Sequence, residues 1–226
     1  NYGGIPEWLS LHKPKLEMRR PNREWLDVMG SFVTNVVTYI TDEELWAHQG
    51  GNIIMAQIEN ELGDGDFESP ENRLLVDENG NFVDPGHKAS DGGTLRNATI
   101  QDYADWCGAI AEDLAPNVTW TMCNGLSAKN TILTCNAKDN AHEWLEKNGK
   151  SGRIQVDQPA VFTEFEGGFQ TWGSTADNPL DYFWGRTARQ MTRDAMKWFA
   201  RGGCHLNYYM FWGGYNRQRA AAAGIT

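Results

Sequence analysis

The chain has 226 residues, of which 40% are hydrophobic and 22% charged, with a net charge of −10 and a pI of about 4.9. This composition is that of a globular protein, and the length suits one domain with a sizeable core. The acidic balance excludes nucleic acid as a partner, because the phosphate backbone would be repelled. No run approaches the roughly 18 apolar residues that span a membrane, so a membrane span is excluded as well.

The first predicted helix covers residues 22–46, where apolar residues recur at helical spacing. A buried strand is predicted at 53–59, because this run is largely apolar and has no Gly or Pro. The strand runs into the polar sequence Glu59-Asn60-Glu61. Two carboxylates and an amide at the end of a buried strand are unfavourable unless a site uses them.

Residues 62–98 are polar and are predicted to form a long insertion beside that strand end. Asn79-Gly80, between two short apolar runs, favours a hairpin turn within it. A calcium-binding loop is excluded here, because Phe82 stands where a glycine is required and Lys88 where a bidentate glutamate is required.

A second helix is predicted at 100–114, with Thr99 and Asp102 as a capping pair. The remaining predicted elements are strands at 118–123, 131–135, 160–163 and 204–211 and a helix at 181–200. Strands alternate with helices, which indicates an α/β fold with a parallel sheet and a single domain over 1–226.

Two predicted strands lead into glutamates, Glu61 and Glu164. In a parallel barrel the carboxyl ends of the strands meet at one rim, where active sites form. A pair of carboxylates across a polar pocket is what glycoside hydrolysis requires, with one carboxyl protonated and the other ionised. From spacing alone, acids that simply face solvent remain the alternative interpretation.

The four cysteines lack the spacing of a zinc site, and the histidines show no ligand spacing, so no metal is predicted. The chain also lacks a phosphate loop and a dinucleotide fingerprint, so no cofactor is predicted. Cys123 and Cys135 either form a disulfide or remain buried thiols. Asn97 and Asn117 begin glycosylation sequons and favour a secreted or lumenal location.

Sequence motifs occur in five segments of the chain, and two of these motifs are especially specific. The segments are 1–9, 49–63, 120–136, 163–173 and 207–216. The first specific motif runs from Gln-Gly-Gly at 49–51 to Glu-Asn-Glu-Leu-Gly at 59–63, and the second is Asn-Tyr-Tyr-Met-Phe at 207–211. In content and order the five segments resemble glycoside hydrolase family 35, the β-galactosidases. The resemblance covers almost the whole chain.

This resemblance implies a (β/α)8 TIM barrel and a retaining mechanism that releases terminal β-galactosyl residues. Carried over by position, Glu61 is the acid/base and Glu164 the nucleophile. Asn60 is expected to hydrogen-bond the sugar 2-hydroxyl, and Tyr209 to orient the nucleophile. Glu59 has two open interpretations, contact with the sugar hydroxyls or a structural acid paired with a cation.

The resemblance also predicts that residues 1–226 are the C-terminal part of one catalytic barrel, holding about strands 4 to 8. Upstream strands and downstream β-rich domains are expected outside this chain. An open parallel sheet with apolar edges is not expected to be stable alone, so the rest of the polypeptide is needed to complete the barrel. The implied partner is a β-galactoside, and the implied location is extracellular or lumenal, in the lysosome, vacuole or cell wall.

The chain departs from the family pattern at five positions near the site: Leu62, Glu166, Phe169, Tyr215 and Arg217. A third carboxylate at Glu166 would either disfavour the charge on the nucleophile or bind an additional substrate group. These departures leave two alternatives open. One is a non-catalytic carbohydrate-binding or structural glycoprotein on the same barrel, and the other is a retaining glycosidase acting on a different sugar.

Overall fold

The computed structural model describes residues 5–12, 16–63, 72–86, 93–137, 141–150, 157–170 and 182–211. These residues belong to two compact units, one built from residues 5–132 and the other from residue 133 onward. Each unit contains parallel strands together with helices, so the predicted α/β class is confirmed. No helix in the described ranges has the length and apolar character needed to cross a bilayer.

In chain order the first unit contains α1 (Glu7–His12), α2 (Arg23–Asp42), β1 (Met55–Asn60), β2 (Leu75–Val76), β3 (Phe82–Val83), β4 (Arg96–Asn97), α3 (Ile100–Leu114) and β5 (Thr119–Cys123). β1 and β5 pair in parallel, with Asn60 opposite Cys123 at the end of the ladder. α3 contacts both strands and α2. The buried side chains of these four elements, together with those of the adjoining segments such as Trp46 and Leu74, form the core of the unit.

α2 begins as predicted but ends early. The Asn22 side chain caps its first turn by accepting a hydrogen bond from a backbone N–H. The helix stops at Asp42, because Glu44 takes a left-handed φ of 54° and the chain then forms a short 3-10 helix at Ala47–Gln49. The prediction of one helix over 22–46 is therefore wrong for its last residues.

α3 has the predicted bounds, because its start signal is local. Thr99 accepts a hydrogen bond from the Asp102 N–H at 3.3 Å, and the Asp102 carboxylate accepts one from the Thr99 N–H at 2.7 Å. Burial alone would raise the pKa of Asp102. The hydrogen bonds from Arg96 and Thr99 outweigh burial and lower that pKa to about 2.

The hairpin predicted within 62–98 is confirmed. β2 and β3 pair in antiparallel fashion, and β4 pairs with the other side of β2. The Asp77 carboxylate accepts hydrogen bonds from the backbone N–H groups of Asn79 and Asn81, and Gly80 takes a left-handed φ of 86°. These contacts give the turn a fixed shape. Residues 64–71 and 87–92 of the predicted insertion lie outside the described residues.

The second unit begins in β6 (Ile132–Ala137) and continues through α4 (Ala141–Lys150), β7 (Val161–Glu166), β8 (Gly168–Gln170), β9 (Tyr182–Gly185), α5 (Ala188–Ala200) and β10 (His205–Tyr209). β7 pairs in parallel with both β6 and β10, whereas β8 and β9 form a separate antiparallel pair. Trp198 of α5 packs against Phe162 of β7, with ring centroids 5.2 Å apart.

The prediction of one helix at 181–200 is wrong for residues 182–187. The aromatic run in β9 forms a strand, as bulky aromatic residues favour. α5 starts after Thr187, which caps it together with Gln190. Trp198 of α5 is buried, whereas its neighbour Phe199 is 53% exposed. Helices α1 and α4 were not predicted.

The strand predicted at 53–59 extends from Met55 to Asn60 and is less buried than expected. Ile58 is 8% exposed, but Ile54 is 66% exposed. Among the described strands β1 pairs with β5 alone. The strand predicted to be buried is therefore only partly buried.

β1 and β7 each contain one extra residue that has no opposite residue on the neighbouring strand. In β1 this residue is Ile58, just before Glu59. In β7 it is Thr163, just before Glu164. Such bulges interrupt the ladder and bend the strand locally, and they are common beside active sites.

Candidate active site

The Glu59 side chain is held in a network of donors at the carboxyl end of β1. It is 8% exposed, and its Oε1 lies 2.8 Å from Arg19 Nη2 in an ion pair. Arg19 Nε donates to the same oxygen at 3.0 Å, and the Tyr103 hydroxyl donates to Oε2 at 2.9 Å. This arrangement fits one of the two predicted roles of Glu59, a structural acid paired with a cation.

Tyr103 connects this network to the core. It is fully buried on α3, and its hydroxyl accepts a hydrogen bond from Trp25 Nε1 at 3.1 Å. Burial, together with the negative charge of Glu59, raises the pKa of Tyr103 far above its usual value. Burial and the Glu59 charge also raise the pKa of Cys107 to about 12. Both groups therefore stay protonated, and Tyr103 remains a hydrogen-bond donor to Glu59.

Asn60 is fixed through its backbone and its side chain. Its N–H donates to Glu59 Oε1 at 2.9 Å, and its carbonyl accepts a hydrogen bond from Arg19 Nη2. Its side-chain Oδ1 accepts hydrogen bonds from Gln57 Nε2 at 2.9 Å and from the Cys123 thiol at 2.6 Å. The residue predicted to contact the sugar is thus held in one orientation.

Glu61 follows β1 directly and is exposed to solvent. Its φ of 51° is left-handed, which is uncommon for a residue with a side chain. Its N–H donates to the carbonyl of Cys123 at 2.9 Å, and the carbonyl of the buried Leu62 accepts from the Leu126 N–H at 2.9 Å. Gly125 makes this approach possible, because a Cβ there would lie 2.3 Å from the Leu62 carbonyl oxygen. The backbone on both sides of Glu61 is therefore fixed.

In the second unit Glu164 and Glu166 lie within β7, so the strand predicted at 160–163 is longer than expected. Glu164 stands opposite Asn136 of β6. Tyr209, at the end of β10, stands opposite Glu166. Tyr209 therefore lies on the strand next to the predicted nucleophile, two positions further along the ladder.

Polar groups of neighbouring strands hold Thr163, the residue before Glu164. Its hydroxyl donates to Asn136 Oδ1 at 2.8 Å and therefore accepts the hydrogen bond from the Thr134 hydroxyl at 2.7 Å. Its backbone carbonyl accepts from Asn207 Nδ2 at 3.1 Å. These contacts fix the unmatched residue and hence the position of Glu164.

A buried cation holds the end of β7. Arg186 Nη1 donates to the carbonyl of Glu166 at 3.0 Å, and its guanidinium lies 4.6 Å from the ring centroid of Phe165. Its Nη2 lies 2.5 Å from the carboxylate of Asp194, and the two side chains are 6% and 4% exposed. Arg193 forms a second ion pair with Asp194 at 2.8 Å. α5 is thus tied to the strand that bears Glu164.

All four cysteines lie within the described residues and are thiols, so the alternative of a Cys123–Cys135 disulfide is not adopted. Asn97 lies exposed on β4, and Asn117 lies exposed before β5. Both sequon asparagines are therefore accessible to solvent.

The structure brings Glu59, Asn60 and Glu61 together at the end of one strand. In the other unit it places Glu164 and Tyr209 on neighbouring strands. Sequence analysis missed Arg19, because it lies in a connecting segment with no periodic pattern, and Arg186, because the prediction placed it inside one helix at 181–200. Tyr103 lies among the buried residues of α3, and its hydroxyl is the signal by which sequence could have identified it.

Comparison with known proteins supplies the family. The sequence profile of glycosyl hydrolases family 35 matches residues 1–226. The chain is 30% identical over 223 residues to beta-galactosidase 10 of Arabidopsis thaliana, covering 98% of this chain and 24% of that protein. It is 29% identical over 221 residues to probable beta-galactosidase 2 of Dictyostelium discoideum, covering 97% of this chain and 24% of that protein.

Beta-galactosidase 12 of Oryza sativa subsp. japonica is 28% identical over 229 residues, covering all of this chain and 20% of that protein. The chain thus spans about a quarter of the length of the curated relatives that it matches. A (β/α)8 barrel has eight parallel strands with intervening helices, and β1, β5, β6, β7 and β10 are the parallel strands of the described residues. The chain belongs to glycosyl hydrolases family 35, and these strands are part of that family's (β/α)8 barrel.

Proposed function

We propose that the full-length polypeptide containing this chain is a retaining glycoside hydrolase. Its substrates would be oligosaccharides, polysaccharides or glycoconjugates with a terminal β-galactosyl residue. Family membership and relatives named beta-galactosidase support this proposal. The observation that carries it is the fixed end of β1, where Asn60 is held at both its backbone and its side chain directly before the exposed Glu61.

The proposed reaction has two steps. In the first, the Glu164 carboxylate attacks the anomeric carbon while Glu61 protonates the departing oxygen, so the glycosidic bond breaks and a galactosyl-enzyme forms. In the second, Glu61 removes a proton from water, and the water oxygen displaces Glu164. This mechanism requires the two carboxyl groups to lie about 5 to 5.5 Å apart.

We assign Asn60 to the sugar 2-hydroxyl and Tyr209 to orientation of Glu164. In this proposal Glu59 does not contact the sugar directly. Its two carboxylate oxygens are engaged by Arg19 and Tyr103, and one of them also accepts from the Asn60 N–H. Its function would be to hold Asn60 rather than to bind substrate.

We further propose that the remaining polypeptide completes the barrel. Three apolar side chains support this, because Ile54, just before β1, is 66% exposed and Tyr208 and Phe211, in and just beyond β10, are 48% and 97% exposed. Burying such side chains against additional strands or helices is favourable. The exposed sequons at Asn97 and Asn117 support a secreted or lumenal location.

The test is turnover by the full-length polypeptide. It should hydrolyse a chromogenic aryl β-galactoside with retention of anomeric configuration, detected by NMR of the released sugar. Glu164→Gln should abolish turnover of every β-galactoside. Glu61→Gln should impair alkyl galactosides far more than dinitrophenyl galactosides, because a good leaving group needs little proton assistance.

Glu43→Gln, an exposed substitution at the end of α2, is the matched control and should leave turnover unchanged. Hydrolysis of other aryl glycosides in preference to galactosides would refute the sugar assignment. Galactose binding without any turnover would instead support a non-catalytic carbohydrate-binding protein. An active Glu164→Gln variant would refute the nucleophile assignment.

A further inference from the structure

The orientation of the Gln57 side-chain amide is determined by its contact with a backbone carbonyl. Its Nε2 lies 3.2 Å from the carbonyl oxygen of Glu59 and 2.9 Å from Asn60 Oδ1. A backbone carbonyl can accept but cannot donate, so the Gln57 atom facing it must be the NH2 group. The same NH2 group therefore faces Asn60 as a donor.

This donor in turn sets the orientation of Asn60. The atom of Asn60 beside Gln57 must be an acceptor, namely Oδ1, because a reversed amide would place two donors against each other. The buried Cys123 thiol, 2.6 Å from the same oxygen, adds a second donor. Because an amide group is planar, the Nδ2 of Asn60 is turned to the side opposite these two donors.

We propose that Gln57 and Cys123 are positioning residues that present the Asn60 amide as a hydrogen-bond donor to the sugar 2-hydroxyl oxygen. This inference rests on the proposed function. It assigns recognition of the 2-hydroxyl to a chain of three side chains, in which Gln57 sets the direction and Cys123 reinforces it. The chain lies within β1 and β5 of one unit.

The test compares an aryl β-galactoside with its 2-deoxy analogue, using the full-length polypeptide. Gln57→Glu keeps the size of the side chain but replaces the NH2 donor with an acceptor, so the Asn60 amide should turn around. We expect kcat/KM for the galactoside to fall by about 5- to 10-fold, because both side chains are exposed and an ordinary hydrogen bond contributes about that factor. The 2-deoxy analogue lacks the recognised hydroxyl, so its kcat/KM should change by less than about threefold.

Two further variants separate positioning from folding. Gln101→Glu is the matched control, because Gln101 Nε2 also donates to a backbone carbonyl, that of Ser127, but lies on α3 outside the site. It should leave the ratio of the two substrates unchanged. Cys123→Ala should lower the preference for the galactoside, and Cys123→Ser, which retains a donor, should restore most of it.

If Gln57→Glu lowers kcat/KM equally for both substrates, or lowers it for neither, the proposal is overturned. The affinities of the same proteins for galactose and 2-deoxygalactose, measured by calorimetry, distinguish failure of the positioning proposal from failure of the proposed function. If the polypeptide does not hydrolyse galactosides but Gln57→Glu removes a preference for galactose over 2-deoxygalactose, the positioning proposal stands. If no such preference exists in the unmodified polypeptide, the positioning proposal is refuted.

Discussion

The buried ion pair between Arg186 and Asp194 offers a sharp test of how β7, the strand that bears Glu164, is held. Asp194→Asn keeps the shape of the side chain but leaves the Arg186 guanidinium, whose side chain is 6% exposed, without its negative partner. Breaking a buried pair in this way costs about 3–5 kcal/mol. The new amide oxygen can still accept one hydrogen bond, so we expect a value near the lower limit, about 3 kcal/mol.

Hydrogen exchange followed by mass spectrometry measures this loss locally in the full-length polypeptide. A loss of about 3 kcal/mol corresponds to exchange roughly 100-fold faster in peptides covering β7 and α5. Peptides covering α3 in the first unit serve as the internal reference. Arg193→Met is the matched control: Arg193 is 57% exposed, and its loss should cost less than about 1 kcal/mol.

The same pair predicts a pH dependence. Hydrogen bonds from Arg193 and then Arg186 outweigh the effect of burial and lower the pKa of Asp194. The ionised carboxylate therefore contributes stability that is full above its unfolded pKa of about 3.9 and is lost as the pH falls through the lower folded value. The difference between the unmodified protein and Asp194→Asn should shrink in that window.

The double variant Arg186→Met with Asp194→Leu should recover most of the loss, because an apolar pair of similar volume often replaces a buried ion pair without penalty. Exchange in Asp194→Asn within threefold of the unmodified protein would show that this pair does not hold β7. A double variant as unstable as the single one would refute the explanation by an uncompensated charge.

Three further outcomes are expected. Gly125→Ala should destabilise the first unit by about 2–3 kcal/mol in thermal unfolding, because its φ of 124° is strained for alanine and the new Cβ meets the Leu62 carbonyl; an unchanged melting temperature would contradict this. Tyr103→Phe should cost about 2 kcal/mol in urea unfolding, because the buried Trp25 indole N–H loses its acceptor; a cost below about 0.5 kcal/mol would show that this hydrogen bond is not needed. Lowering the pH from about 4 to about 2 should remove about 1 kcal/mol of stability, because Asp102, whose pKa is lowered to about 2, becomes protonated. This value allows for the partial exposure of its ion pair. An equal loss of stability in Asp102→Asn would refute the assignment to Asp102.

The elements predicted well from sequence are those with local signals. The bounds of α3 follow from its apolar stripe and from Thr99, and the hairpin follows from Asn79-Gly80. Glu59-Asn60-Glu61 was located because polar residues at the end of an apolar strand are unusual. In each case neighbours within a few positions determine the structure.

The features missed depend on contacts between distant positions. Arg19 lies 40 positions from Glu59, and Arg186 lies 20 positions from Glu166, so no local pattern relates the partners. The boundary between β9 and α5 was missed for a different reason. The aromatic residues before α5 fit an apolar helix face as well as a strand. The helix start is marked by the capping pair of Thr187 and Gln190, which the aromatic pattern does not reveal.

The unmatched residues Ile58 and Thr163 mean that each glutamate-bearing strand changes phase just before its carboxylates. Side chains upstream of the change follow one alternation and those downstream follow the opposite one. Deleting either residue would make the numbers of paired residues on the two strands equal. The following glutamate would then turn toward the other face of the sheet, although no residue of the site had been substituted. The pairing register of each strand, as well as its composition, therefore determines the face of the sheet toward which these glutamates point.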